Sequence, residues 1–502
     1  MLHTVLFSDE ITLWWEKQWE LDAPAHYRAS LNGTSIKETD YTHVSFTELD
    51  PDTAYTVRVE RTEGDTVLEC LGELHLVTPA GKRRIDVTAA PYFAVGDGKT
   101  LNTAALQRAI NDCGAGDCVY FPKGVFLSGA LDLHSDMELY LEEGAVLQGT
   151  ARLEDYLPKR ESRFEGITMM CYSSLLNAGR LDSAGGPNCR NIVIRGKGSI
   201  LGGGAEHATA ILESERARLA DYLAANQDFV KTCENDNTIP GRARSRLINL
   251  SNCENVIIAG LTLGYAASWN VHFIYSKDIL TYGCRIRSRG VWNGDGWDPD
   301  SAENSVIFDT VFETHDNSIA IKSGKNPDGN IINRPCVGVY IFHCRGGQCM
   351  AVGSEMSGGV SDVRIWDCDF TEASSGIGLK VTDKRGGYIR NVRVRDCHFV
   401  NLRARRVTFN DDGEPGPSLP FVEDILFENI ELTGVALMPS GERRPTEILY
   451  IDGPDDPAHY FRRFTFRGIR VPRRAMADPH AIRLKNVAEL SLSGLDCLPD
   501  GE

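Results

Sequence analysis

The sequence predicts an all-β protein: a right-handed parallel β-helix preceded by a small β-sandwich. Three observations carry this reading of the 502 residues. Short β-rich runs recur from about residue 85 onward, with starts roughly 23–40 residues apart and one larger gap early, a period expected of a solenoid. The runs lack the 3.6-residue periodicity that a helical repeat would show. The first ~80 residues have a different texture, alternating apolar and polar positions around one sharp break.

In chain order, "MLHTVLFSDEITLWWEKQW" lacks a basic start, an uninterrupted apolar centre and a small-residue cleavage site, so no export signal is expected. "YTHVSFTELDPDTAYTVRVE" reads as strand, turn, strand. The spacing Leu49, Pro51, Thr53, Tyr55 resembles the corner of fibronectin type III domains, where a tyrosine hydroxyl ties back the chain. Residues 1–80 are therefore expected to form such a sandwich, with "TPAGKRR" (Thr78 to Arg84) as linker, and residues 85–502 to form the β-helix. "LNTAALQRAINDC" (Leu101 to Cys113) is amphipathic at helical spacing, suited to capping the open N-terminal end of a solenoid.

Runs such as "ENVIIAGLTLG", "NSVIFDTVFET" and "SDVRIWDCDFT" each alternate, bend at Gly, Asp or Asn, and continue as a second short strand. Cys284, Cys344, Cys368 and Cys397 fall at comparable places, which predicts an inward-facing stack. Their neighbours His343 and His398 would point to the opposite face, so no metal site is expected. The segment between about 205 and 245 is rich in Ala, Leu, Glu and Arg. It reads as a helical insertion that walls off one end of a cleft.

Composition narrows the function. A formal charge of −17 excludes nucleic acid and anionic membrane surfaces as general partners. With 42% hydrophobic and 25% charged residues the chain is an ordinary globular protein, and no segment reaches the ~18 apolar residues of a membrane span. Fourteen scattered cysteines without an export signal are expected to be reduced thiols in the cytoplasm.

Asp295, in "NGDGWD", and Asp316, in "ETHDNSIAIKSG", lie 21 residues apart, close to one coil. Coils stack about 4.8 Å apart, so the two carboxylates can serve as acid and base on one face. Acids in Gly/Asn-rich turns also commonly bond their own backbone, which leaves a purely structural role open.

"NGDGWDPDSAENSVIFDTVFETHDNSIAIKSGKNPDGN", "AVGSEMSGGV" and the earlier "AVGDGKTLNTAALQRAI" and "VYFPKGVFLSGAL" resemble glycoside hydrolase family 28, the polygalacturonases, over most of residues 85–470. The resemblance implies a β-helical, inverting hydrolase of pectin that needs no metal or other cofactor. It implies Asp316 as general acid, with Asp295 and Asn293 kept from the motif N-T-D-G. Asn317 stands where the family has a second aspartate, Gly347 where it has a histidine, and Gly378 where an arginine precedes Lys380. His315 is the added residue expected to compensate. Lys322, Lys380, Gln348 and Glu355 complete the expected substrate contacts, the two lysines as point charges toward a uronate.

"GSEMSGG" is similar to exo-acting bacterial members, which also carry a fibronectin-like domain. "GGQCMAVGS", with the missing arginine, is similar to the rhamnogalacturonan-cleaving branch. The expected activity is thus release of a terminal sugar, α-linked galacturonate first, from pectin-derived oligosaccharides. The alternatives are a neutral or branched glycoside as substrate, or an inactive carbohydrate-binding relative.

Overall fold

In the computed structural model, which describes residues 1–19, 25–233, 239–409, 413–438 and 440–499, the chain divides into two units, Met1–Arg84 and Ile85–Glu502. The first holds a three-stranded and a four-stranded antiparallel sheet. Ile11, Leu13, Tyr27, Val44, Phe46 and Val57 share its core. The strand–turn–strand expected over 41–60 forms as His43–Thr47 and Ala54–Glu63. At the break between them the amide of Asp50 donates to the Tyr55 hydroxyl at 3.0 Å.

The second unit is the expected right-handed parallel β-helix, with strands laddered into sheets of 20 and 11 members. Its interior is built by stacking mostly like residues: Val256, Ile279, Val339, Val363, Val392 and Ile425 occupy one register line, with Ser305 between Ile279 and Val339, and are all at most 1% exposed. Burying each such side chain is worth about 1.5–3 kcal/mol. Cys284, Cys344, Cys368 and Cys397 form the predicted inward column, with Thr310 between the first two. None of the fourteen cysteines is in a disulfide. Helix Thr103–Asn111 buries Leu106, Ala109 and Ile110 in the same core.

The bends have a strict grammar. Asn255, Asp278, Asn304, Gly338, Asp362 and Asn391 all adopt positive φ, and so do Gly260, Gly283, Asp309, His343, Asp367 and Asp396, each five positions further on. Two left-handed corners per coil at fixed separation turn the chain without breaking the ladder. Asn and Asp tolerate this conformation because their short side chains bond locally. Here some also bond the coil below, as in Asn255 Nδ2 to Asn191 Oδ1 at 2.8 Å and Asn304 Nδ2 to Asp278 Oδ1 at 3.2 Å.

The 205–245 expectation holds in part. Helices occupy Gly204–Arg218, Ala220–Ala225 and Gln227–Val230, 239–245 is non-helical, and 234–238 lies outside the described residues. No helix among the described residues is long and apolar enough to cross a membrane.

Candidate active site

Five short strands of the 11-stranded sheet carry the site: Val271–Ile274, Trp297–Asp300, Ile319–Ile321, Met350–Val352 and Ile377–Val381. Trp297, Ile319, Met350 and Ile377 stack inward in one register line. Strand alternation therefore aims Asp298, Asp300, Lys322, Gly378 and Lys380 outward.

Trp297 pairs with Ile319, an offset of 22 residues. The 21-residue separation is thus one residue short of a full coil: the residue directly above Asp295 is Asn317, and Asp316 sits one place to the side. The amide of Gly296 donates to the carbonyl of Asn317 at 3.0 Å, and the Asp295 carbonyl accepts from Asn270 N at 3.0 Å and Asn270 Nδ2 at 2.7 Å. Asp295 is thus pinned from both neighbouring coils. Gly296 is required here, because a Cβ would lie 2.4 Å from the Ser318 carbonyl oxygen.

Asp295, Asp316, Asn293, Asn317, Lys322, Glu355 and Lys380 all line one cavity of about 240 Å³. Asp316 Oδ1 accepts from the amide of Asn317 at 2.8 Å, which fixes its carboxyl. Lys380 Nζ donates to Asn317 Oδ1 at 3.1 Å, so an ammonium rather than a second acid neighbours the Asp316 turn. Arg244 donates to Asn293 Oδ1 and, at 2.8 Å, to the Trp292 carbonyl.

Two expected residues fall outside the cavity lining. His315 faces away, its Nδ1 accepting from Gly290 N at 3.3 Å, and Gln348 turns its Oε1 to the Ser374 hydroxyl at 2.5 Å. Lys322 lines the cavity from below, 5% exposed among acids, and is no outward-reaching point charge.

Sequence reasoning missed the walls. The hairpin Arg160–Phe164/Ile167–Cys171 brings Glu165 to the cavity. There Glu165 Oε2 accepts from Arg242 Nε at 2.6 Å. The hairpin is anchored by Arg163, fully buried, whose NH1 lies 2.7 Å from Asp300 Oδ1. Trp269, Lys325, Arg385 and Phe409 also line the cavity, with Arg385 NH1 on the Ser354 hydroxyl at 2.9 Å. Hairpins and loops between coils carry no repeat signal, although Asp298 was legible in the same Asp-rich knot as Asp295.

Burial dominates the electrostatics. It pushes Asp295 up to about 7, with the charge of Asp316 adding and that of Lys322 opposing. Asp298 and Glu355 are also driven upward by burial. A carboxyl poised near 7 in a small cavity beside a second carboxyl is an acid–base arrangement.

Residues 158–436, more than half of the chain, match the family Glycosyl hydrolases family 28. The chain belongs to that family. It is 30% identical over 374 residues to the exo-poly-alpha-D-galacturonosidase of Dickeya chrysanthemi, covering 71% of this chain and 61% of that protein. A probable polygalacturonase of Vitis vinifera is 30% identical over 337 residues, 62% of this chain and 60% of that one. The chain thus spans about three fifths of the length of these curated relatives. Among solved structures, the family 28 exopolygalacturonase of Yersinia enterocolitica has a TM-score of 0.79 at 20% identity over 99% of this chain and 96% of that one, a likeness of fold. The exopolygalacturonase of Thermotoga maritima has a TM-score of 0.67 at 25% identity, over 82% and 92%.

Proposed function

We propose that this chain is an inverting, exo-acting glycoside hydrolase that releases a terminal galacturonate from pectin-derived oligosaccharides. The observation that carries the reading is the lining of one small cavity by Asp295 and Asp316 together with Lys380, Lys325 and Arg385. About 240 Å³ is below the ~300–1,000 Å³ of a drug-sized pocket and suits a single sugar ring. The three cations suit a ring bearing a carboxylate. The similarity to galacturonosidases supports the same substrate class.

In this reading Asp316 gives its proton to the leaving oxygen as the C1–O bond breaks. Asp295 takes a proton from the water whose oxygen bonds C1 from the opposite side. The freed sugar carries the water's hydroxyl, the leaving sugar carries the proton of Asp316, and solvent resets both carboxyls. Asn317 holds no proton to exchange; through Lys380 and its own amide it keeps Asp316 in place.

Asp316→Asn and Asp295→Asn should each lower kcat on digalacturonate by about 10²–10⁴-fold while the proteins stay folded, and NMR of the first-formed product should show the inverted anomer. A parent enzyme that leaves every uronate-terminated oligosaccharide untouched would sink the reading. Gly378, at the position of the family's arginine, favours the second reading, a neutral glycoside. That reading wins if neutral oligosaccharides are cut and uronides are not.

A further inference from the structure

Lys322 forms the floor of the cavity rather than its mouth. Its ammonium lies 3.4 Å from Asp295 Oδ2, 3.5 Å from Asp298 Oδ1 and 3.8 Å from Glu355 Oε2. The same group sits 4.4 Å from the centre of the Trp269 ring. Three carboxyls therefore meet this one ammonium; Lys322, Asp295 and Asp298 are buried at 5%, 2% and 0% exposure, and Glu355 is partly buried.

Lys322 balances one anion, and Arg385 stands beside Glu355. A further uncompensated charge in so dry a place costs several kcal/mol, so Asp295 and Asp298 share a proton at neutral pH. Asp298 is the deepest of the acids, and as carboxylates Asp298 Oδ1, Asp298 Oδ2 and Asp295 Oδ1 have no hydrogen-bond donor. With a proton on Asp298, the same atoms become a donor–acceptor pair with Asp295.

We propose that Lys322 is a positioning residue whose ammonium keeps Asp295 ionised as the base, while Asp298 carries the cluster's proton. The pH at which turnover sets in is then fixed inside the protein, by Lys322 and Glu355, and not by the sugar. This rests on the hydrolytic reading above. The groups facing Asp295 come from every coil around it. Asp298 lies on its own coil, Asp316 and Lys322 come from the next coil, and Glu355 comes from the one beyond. Arg244 is held at Asn293. Behind Lys322 stands Asp300, neutralised by Arg163 and bonded to His272; beside Asp316 stands Lys380 on Asn317, and beside Glu355 stands Arg385.

The test is the pH profile of kcat and KM on digalacturonate, with full-length protein. Removing the cation with Lys322→Met should move the acidic limb to higher pH by roughly one unit or more, lowering kcat at pH 6 about tenfold with KM changed less than twofold. Removing a like charge with Glu355→Gln should move the same limb to lower pH, whatever it does to KM. An unmoved limb with KM raised tenfold in Lys322→Met would make Lys322 a sugar-gripping residue and overturn the inference. Should Lys322→Met fail to fold, the nearly isosteric Glu355→Gln decides alone: a downward shift supports the inference, and a static limb overturns it. Absence of turnover in the parent overturns both this inference and the reading beneath it, whereas turnover with static limbs overturns this one only.

Discussion

Two acidic sites lie five residues apart in "DGWDPD", equally buried and opposite in chemistry. Asp300 receives Arg163 NH1 at 2.7 Å, His272 Nε2 at 3.3 Å and the amide of Gly324 at 3.1 Å. Burial alone would raise its pKa, yet the Arg163 charge and these hydrogen bonds bring it down to about 2. Asp295 shares a single ammonium with Asp298 and Glu355, and burial together with the charge of Asp316 takes it up to about 7. Depth is common to both. What differs is the ratio of donors to carboxyl oxygens, and that ratio separates an anchor from a reactive group.

The strongest way to break this comparison is to make the same change at both places. Asp300→Asn leaves the fully buried guanidinium of Arg163 without its charge partner, and should cost about 3–5 kcal/mol. Asp295→Asn relieves crowding among acids, since Asp298 can then ionise against Lys322. It should raise stability near neutral pH by about 1–3 kcal/mol while removing the base and with it turnover. Urea melts at pH 7.5 check both signs. Destabilisation by Asp295→Asn comparable with that of Asp300→Asn would mean the two sites are alike after all.

A smaller effect sharpens the same contrast through pH. The folded pKa of Asp295 lies above the ordinary ~4 of an aspartate. Its contribution to stability is therefore fully present below pH 4 and is lost as pH rises through about 7. Asp300 is depressed, so its contribution is present above pH 4 and is lost only as pH falls through about 2. The stability advantage of Asp295→Asn over the parent should vanish below pH 4, whereas the deficit of Asp300→Asn should persist at pH 4 and close only below it. Melting temperatures across pH 2–9 read both windows.

The repeat was legible because its physics is local. Corners at Asn255 and Gly260, Asp278 and Gly283, or Asn391 and Asp396 need residues that accept positive φ, and the strands between them must alternate. Asp295 and Asp316 were found for a similar reason: each ends a turn just before a strand, and the coil repeat brings such turns together. His315 and Gln348 were misplaced because they lie in turns, where period-two alternation no longer says which way a side chain points. Lys322 was placed on the right face but given the wrong neighbours. The acids around it come from the coils on either side, and their crowding is a property of the stack. Glu165 and Arg242 were illegible, because the hairpin and the segment that carry them interrupt the repeat.

The gentlest prediction adds a cation beside Lys380. Gly378 pairs in register with Ala351 below and Arg403 above, on the outward face that also carries Lys380. A Cβ built on it meets Lys380 Cε at 3.5 Å and Cys349 Sγ at 3.6 Å, both ordinary contacts, so the strand accepts a side chain there. Gly378→Arg should place a planar donor beside Lys380. If the sugar bears a carboxylate, a charge-assisted hydrogen bond of about 1–2 kcal/mol should lower KM for uronate-terminated oligosaccharides roughly five- to thirtyfold. KM for neutral ones should stay unchanged. The kcat of the variant should stay close to that of the parent, because the added group meets the ring and not the bond that breaks. An unchanged KM for uronides would place the carboxylate elsewhere on the cavity wall, toward Lys325 and Arg385. In that case the glycine does not limit affinity, and the cations of the far wall already do the work that the family gives to its arginine.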